Sequence, residues 1–314
     1  MKKNKTITVI GLGGVGGYFG GMMSYRNNEL NLGYSINFVA RGNHLDAIKE
    51  NGLVLNTATK SGLICKPANV TDDLSTLPKS DVIIIAVKSY DLEDVIDRLP
   101  VLLKPETIII PLLNGVDIYE RIRNKISGVI ILPACVYVAA YIDKPGSVTC
   151  QENSGFMILG RDPQQSAFSP EYLLKFFDET GTRYKWFDNP YPAIWEKYTF
   201  VASLALSTAF YREPVGGVMS NPESKSKTKE IMQEIVAIAS KMEVDLPDDL
   251  VDKLLNRAAG LAYGIKTSYL RDIESKKNRN EGEIFGGTIE KLGKQLGIET
   301  PATSKLYKEL QRIG

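Results

Sequence analysis

Three glycines at one spacing and one lysine in apolar surroundings are the residues of this chain best placed to do chemistry. Gly11, Gly13 and Gly16 fall in the series Gly11-Leu12-Gly13-Gly14-Val15-Gly16, directly after the apolar run Thr6–Ile10 and directly before a helical pattern. In a strand–turn–helix setting, the first glycine makes the tight turn. The second lets the backbone approach a pyrophosphate, and the third lets the helix lie close to the strand. The unpaired N–H groups and the dipole at the helix start favour an anion there. The alternative is a glycine-rich surface turn, but the strand before it and the helix after it favour a dinucleotide.

The second strand points to which dinucleotide. A chain that binds NAD usually ends this strand in Asp or Glu, which takes the ribose 2′-hydroxyl. Here Ser35–Val39 is followed by Ala40-Arg41. A cation in place of an acid suits a 2′-phosphate, so the expected cofactor is NADPH. Lys88, after the buried run Asp81–Val87, either projects at the same edge or is an ordinary solvated lysine. His44, the only histidine, either caps the helix after Arg41, touches the adenosine end or is a plain surface residue.

A nicotinamide brings a hydride, which leaves the protein to polarise a carbonyl and deliver a proton. His44 lies at the wrong end for this, so a Lys, a Tyr or a carboxylic acid must serve. From Pro192 to Phe210 no charged residue follows Lys197, and its neighbours at three and four residues are Ala193, Ile194, Phe200 and Val201. That pattern predicts a buried helix. Apolar surroundings disfavour an ammonium and should lower its pKa towards neutrality, as a general acid needs. The other reading is a first-turn lysine that snorkels to water.

These residues need a scaffold. With 314 residues the chain exceeds what one core usually holds, and two domains are expected, residues 1–188 and 189–314. The first half alternates strand and helix: Thr6–Ile10, Val15–Tyr25, Ser35–Val39, His44–Glu50, Asp81–Val87, Leu92–Leu103, Thr107–Pro111 and Ile118–Lys125. This order predicts an α/β Rossmann fold with a parallel sheet. Strand-like runs at Val129–Pro133, Val136–Tyr141, Ser147–Gln151 and Phe156–Gly160 are expected to extend that sheet antiparallel. Pro170–Thr180 reads as helix and Arg183–Phe187 as a last strand. Beyond Asp188-Asn189-Pro190 every pattern is helical: Pro192–Tyr211, Ser224–Met242, Asp248–Tyr263, Lys266–Ser275, Glu281–Leu296 and Ala302–Arg312, with Gly264 and Gly297 as stops. The second domain is therefore expected to be all-α.

Bulk properties narrow the classes. A net charge of +1 gives no broad field for nucleic acid or an anionic membrane. No apolar run is long enough to span a bilayer. The run after Met1 breaks at Gly11, so no secretory leader is expected. Cys65, Cys135 and Cys150 are far apart and have no histidine cluster beside them, which argues against a disulfide framework or a metal site and fits a cytoplasmic protein.

Several motifs then converge. The glycine series, Val39-Ala40-Arg41-Gly42, Ala86-Val87-Lys88, Leu113-Asn114-Gly115, Pro145-Gly146-Ser147-Val148, Trp195-Glu196-Lys197 and Lys266-Thr267-Ser268-Tyr269-Leu270-Arg271-Asp272 stand in one order along almost the whole chain. In this the chain resembles the ketopantoate reductase (ApbA/PanE) family. The resemblance implies a Rossmann domain plus a helical domain, a substrate in the cleft between them, and reduction of a 2-oxo acid by NADPH. It implies Lys197 as general acid and Glu281 as the carboxylate that orients it. Asn114 would lie near the nicotinamide and substrate, Ser268 would bind the substrate, and Arg41 and Lys88 would hold the 2′-phosphate. On residue type alone, Asn114 is a turn residue and Ser268 a helix cap.

The Glu281 match needs one extra residue after Asp272, and it reads Asn280-Glu281-Gly282-Glu283 where the family shows Thr-Glu-Ile-Asp, so Glu283 is a rival. Val201 and Ala205 stand where relatives commonly carry asparagines. Two alternatives to ketopantoate reduction follow: a sister reductase of a more apolar 2-oxo acid, and an NADPH-binding sensor without turnover. A homodimer formed through the helical domain is a further expectation of the resemblance.

Overall fold

In the computed structural model, which describes residues 5–151, 155–275 and 279–313, the chain divides into two units. The first comprises Met1–Asn114 and Ile118–Pro190, the second Gly115–Asp117 and Tyr191–Gly314.

The first unit opens with β1 (Thr6–Ile10), α1 (Gly14–Glu29), β2 (Ser35–Val39) and α2 (Gly42–Asn51). Three short strands follow, β3 (Leu53–Asn56), β4 (Leu63–Cys65) and β5 (Asn69–Thr71). Next come β6 (Val82–Ile85), α3 (Leu92–Arg98), β7 (Ile108–Pro111), α4 (Ile118–Arg123) and β8 (Ile130–Ile131). The unit closes with β9 (Ala134–Tyr137), β10 (Ala140–Lys144), β11 (Ser147–Cys150), β12 (Phe156–Gly160), α5 (Glu171–Glu179) and β13 (Tyr184–Phe187).

The main sheet has six parallel strands in the order β5-β2-β1-β6-β7-β8. Every residue of β6 and β7 is buried, as their continuous β-branched runs require of strands covered on both faces. The chain moves outward from β1 to β2, then returns to lay β6 on the other side of β1. That reversal is the switch point where ligands of such sheets bind, outside the carboxyl ends of the strands.

After β7 the expected antiparallel extension does not form. Only β8 joins the main sheet, and it runs parallel. The other strands make two further sheets, β10-β11-β3-β4 and β13-β12-β9. The predicted strand Val136–Tyr141 is broken between β9 and β10, which lie in different sheets. The four-stranded sheet covers the outer face of α1. Gly20 of that helix lies against Val9 and Phe38 of the main sheet, and an added Cβ at Gly17 would meet Val148 Cγ2 at 2.6 Å. From Gly14 to Met23 this helix carries only glycine and apolar residues on every side, which fits its place between two sheets and explains the need for the second sheet.

The second unit is helical: α6 (Tyr191–Tyr211), α7 (Val215–Ser220), α8 (Pro222–Lys241), α9 (Leu250–Ala259), α10 (Ser268–Glu274), α11 (Thr288–Leu296) and α12 (Pro301–Ile313). α6 is central, packed against α7, α8, α10 and α12. Three of its buried hydroxyls are satisfied inside the helix: Thr199, Ser203 and Thr208 donate to the carbonyls of Trp195, Thr199 and Leu204 at 2.7–2.8 Å. Asn221 caps α8, and the buried Glu234 accepts from the Ala302 and Thr303 N–H groups at the start of α12. Gly297, at φ 70°, ends α11 as expected, whereas the predicted helix to Tyr263 stops at Ala259, before Gly264. A π-helical turn, Glu283–Gly287, precedes α11.

Candidate functional site

Four strands of the main sheet end in one row. Ile10 pairs with Val39 on one side and with Ile85 on the other, and Ile85 pairs with Pro111. The residues that follow them therefore leave the sheet along one edge: Gly11–Gly14 after β1, Arg41 after β2, Lys88 after β6 and Asn114 after β7. The turns are tied in place by backbone bonds from Gly11 N to Val39 O (3.0 Å), Ala86 N to Ile10 O (2.8 Å) and Leu112 N to Ile85 O (2.7 Å). Arg41, Lys88, Asn114 and the glycine series share this edge.

Within the glycine turn the three positions differ as their spacing predicts. Gly11 has φ 91°, the left-handed region that favours glycine, and a Cβ there would meet Ala86 O at 2.8 Å. Gly16 lies so close to the strand end that a Cβ would come within 1.9 Å of Gly11 O. Gly13, the N-cap of α1, has open space where its Cβ would be and no side chain to close the helix end. A cradle of backbone N–H groups at a helix start, with room above it, fits a pyrophosphate. Leu12 is buried, and Gly14 and Val15 form the first turn of α1.

Arg41 is exposed, and its Nη2 donates to Asp91 Oδ2 at 2.6 Å. Asp91 is buried in the short 3-10 turn after Lys88. Nothing in the sequence singled it out, because an Asp beside an amphipathic run reads as a helix start. His44 does not cap a helix: Arg41 is the N-cap of α2, and His44 lies inside it with both ring nitrogens bonded to backbone.

The other predicted residues lie in the second unit. Lys197 is 6% exposed within α6, so it does not snorkel. Val201, Ala205 and Thr208 follow it by four, eight and eleven residues and so share its helix face. Ala205 is buried and Val201 half-buried. The Thr208 hydroxyl meets that of Thr267 at 2.7 Å, which pins the start of α10 to α6. Thr267, not Ser268, caps that helix by accepting from Leu270 N, and Ser268 stands exposed as its first residue. Glu281 is 5% exposed, whereas its rival Glu283 is exposed. The π turn that follows Glu281 is held to α6 by Tyr198, whose hydroxyl donates to the carbonyls of Ile284 and Phe285.

Among the described residues no group of three or more His, Cys, Asp or Glu could hold a metal ion, and no helix is long and apolar enough to cross a membrane.

Comparison with known proteins bears on the same arrangement. Residues 7–164 match the family described as ketopantoate reductase PanE/ApbA, and residues 190–314 match that family's C-terminal model. An uncharacterized oxidoreductase of Bacillus subtilis, YkpB, is 26% identical over 96% of this chain and 97% of its own. A 2-dehydropantoate 2-reductase of Streptococcus pyogenes is 24% identical over 94% of this chain and 93% of its own. The crystal structure of a PanE/ApbA family ketopantoate reductase from Ralstonia eutropha is similar with a TM-score of 0.87, at 26% identity over 98% of each chain. The chain is thus an oxidoreductase that uses a nicotinamide cofactor, and it belongs to the ketopantoate reductase PanE/ApbA family.

Proposed function

We propose that this protein reduces the ketone of ketopantoate to the alcohol of pantoate with NADPH, and so serves pantothenate and coenzyme A synthesis. The observation that carries the reading is Lys197, a lysine 6% exposed in the central helix of its unit with Val201, Ala205 and Thr208 on the same face. A lysine ammonium placed at the reacting carbonyl has the proton that the developing alkoxide needs. NADPH, when bound, supplies the hydride to C2. Lys197 delivers the proton to the oxygen, and the buried carboxylate of Glu281 orients the lysine; Glu283, being exposed, is the weaker candidate. Ser268 and Asn114 hydrogen-bond the substrate, and Asn114 also borders the nicotinamide.

Gly11 to Gly16 seat the pyrophosphate. Arg41 and Lys88 hold the 2′-phosphate, because a guanidinium has five N–H donors and Asp91 takes only part of them. Three buried cysteines with no disulfide among them suit use in a reducing cytosol.

A second reading rests on Val201 and Ala205. Apolar groups on the lysine's face remove hydrogen bonds a hydroxylated substrate would use, each worth ~0.5–1.5 kcal/mol. They favour a 2-oxo acid with an apolar side chain. Oxidation of NADPH and of NADH, followed with ketopantoate beside branched and aromatic 2-oxo acids, separates the cases. Preference for ketopantoate and NADPH supports the first reading, and turnover of an apolar acid alone supports the second. NADPH binding with no turnover of any acid would leave a sensor.

A further inference from the structure

His44 is the chain's only histidine, and hydride transfer as proposed has no use for it. Both ring nitrogens are nevertheless engaged. Nδ1 lies 2.9 Å from the Gly146 N–H, and Nε2 lies 2.9 Å from the Leu12 carbonyl oxygen. A backbone N–H can only donate, so Nδ1 must accept and carries no proton. The one proton of the neutral ring is then on Nε2, where it donates to Leu12. Half-burial pushes the imidazole below its ordinary value, which also favours the neutral ring; the Leu12 carbonyl offsets this in part.

Leu12 stands between Gly11 and Gly13. Its carbonyl belongs to the same peptide plane as the Gly13 N–H, and in a trans peptide the two point in opposite directions. Drawing the carbonyl towards His44 therefore turns the Gly13 N–H away from His44. Gly13 is the position with open space above it, at the start of α1. The other end of the brace is firm. Gly146 lies in the turn between β10 and β11, and a Cβ there would meet Ala47 Cβ of α2 at 2.8 Å, so helix and turn are in close contact.

We propose that His44 is a positioning residue for the nucleotide: as a neutral Nε2–H imidazole braced on the β10–β11 turn, it fixes the Leu12–Gly13 peptide so that the Gly13 N–H meets the diphosphate of the cofactor. This rests on the glycine turn being the nucleotide site.

The test uses the whole chain and NADPH binding followed by nucleotide fluorescence, for wild type, His44→Gln, His44→Asn and His44→Ala. A glutamine amide can place an N–H where Nε2–H stands. Asparagine is too short to reach Leu12. The Kd should rise ~10-fold in His44→Ala and His44→Asn, as the loss of a buried hydrogen bond predicts. His44→Gln should recover most of that loss, and kcat at saturating NADPH should fall less than Kd rises. With a single histidine, the imidazole nitrogens of the wild type can be read by NMR without assignment, and at pH 7.5 they should show the neutral Nε2–H form.

A Kd within ~2-fold of wild type in a folded His44→Ala overturns the proposal. So does a protonated or Nδ1–H ring in the wild type, whether or not the variants fold. If wild type binds no NADPH at all, the nucleotide reading of the glycine turn fails first, and this role fails with it.

Discussion

The Tyr198 hydroxyl donates to the carbonyl oxygens of Ile284 at 2.7 Å and Phe285 at 3.1 Å, so the residue after Lys197 holds the π turn that begins two residues after Glu281. A π turn breaks the regular bonding ladder of a helix, and such turns gather at functional sites. Here a buried side chain donor serves two of its carbonyls. Tyr198→Phe removes that donor and leaves the ring in place. Thermal unfolding should show a loss of ~1–3 kcal/mol. If Glu281 orients Lys197, kcat should fall more than the KM for NADPH rises. Unchanged unfolding would mean that water replaces the hydroxyl.

Gly13 and Gly16 make a paired test of the glycine turn. An Ala Cβ at Gly16 would lie 1.9 Å from Gly11 O, whereas at Gly13 it would meet nothing within 4 Å. Gly16→Ala should therefore destabilise the first unit by ~1–3 kcal/mol, as overpacking does. Gly13→Ala should keep its unfolding temperature but lose NADPH affinity by ~10-fold or more, because the methyl group takes the space needed for close backbone approach to the diphosphate. Calorimetry and nucleotide titration of both variants check this. Equal affinity in Gly13→Ala and wild type would count against a diphosphate at this turn.

Much of this arrangement was legible in the sequence because it is written in long or strict patterns. The run Val82–Val87 is apolar without interruption, which only a strand covered on both faces tolerates, and β6 is fully buried. The helix from Pro192 lacks charge after Lys197, and α6 is the centre of its unit. What failed was short or non-local. β3, β4 and β5 have three or four residues each, too few for a period to show; β3 and β4 cover the outer face of α1, whereas β5 is the edge strand of the main sheet beside β2. Asp91 and the Gly146 turn reach Arg41 and His44 across 50 and 102 residues, and nothing in local residue type reports such pairings. Residue type alone offered Ser268 as a cap, but Thr267 caps α10 and Ser268 is its first residue, a one-residue difference that local pattern does not resolve.

Asp81 makes the stability of the first unit depend on acid. Burial raises its pKa, but the Thr6 N–H (2.9 Å), Lys104 (2.9 Å) and Lys5 (2.9 Å) outweigh burial and hold the carboxyl below its ordinary 3.8. A group whose pKa is depressed on folding stabilises the protein above its unfolded value, and that stability is lost as pH falls through the folded value. Asp81→Asn should therefore cost ~1–2 kcal/mol at neutral pH. The difference from wild type should shrink as pH drops below 3.8. Denaturant unfolding across that range measures it, and a gap that stays constant with pH would show that the charge on Asp81 is not what stabilises.

The central claim is that Lys197 delivers the proton. The most direct measurement is kcat of Lys197→Ala on the best 2-oxo acid, with NADPH Kd determined on the same sample. The account predicts a fall in kcat of ~10²-fold or more with Kd changed little, since general acid catalysis is worth about that much. Near-wild-type turnover without the lysine would contradict it and would move the proton donor to another group.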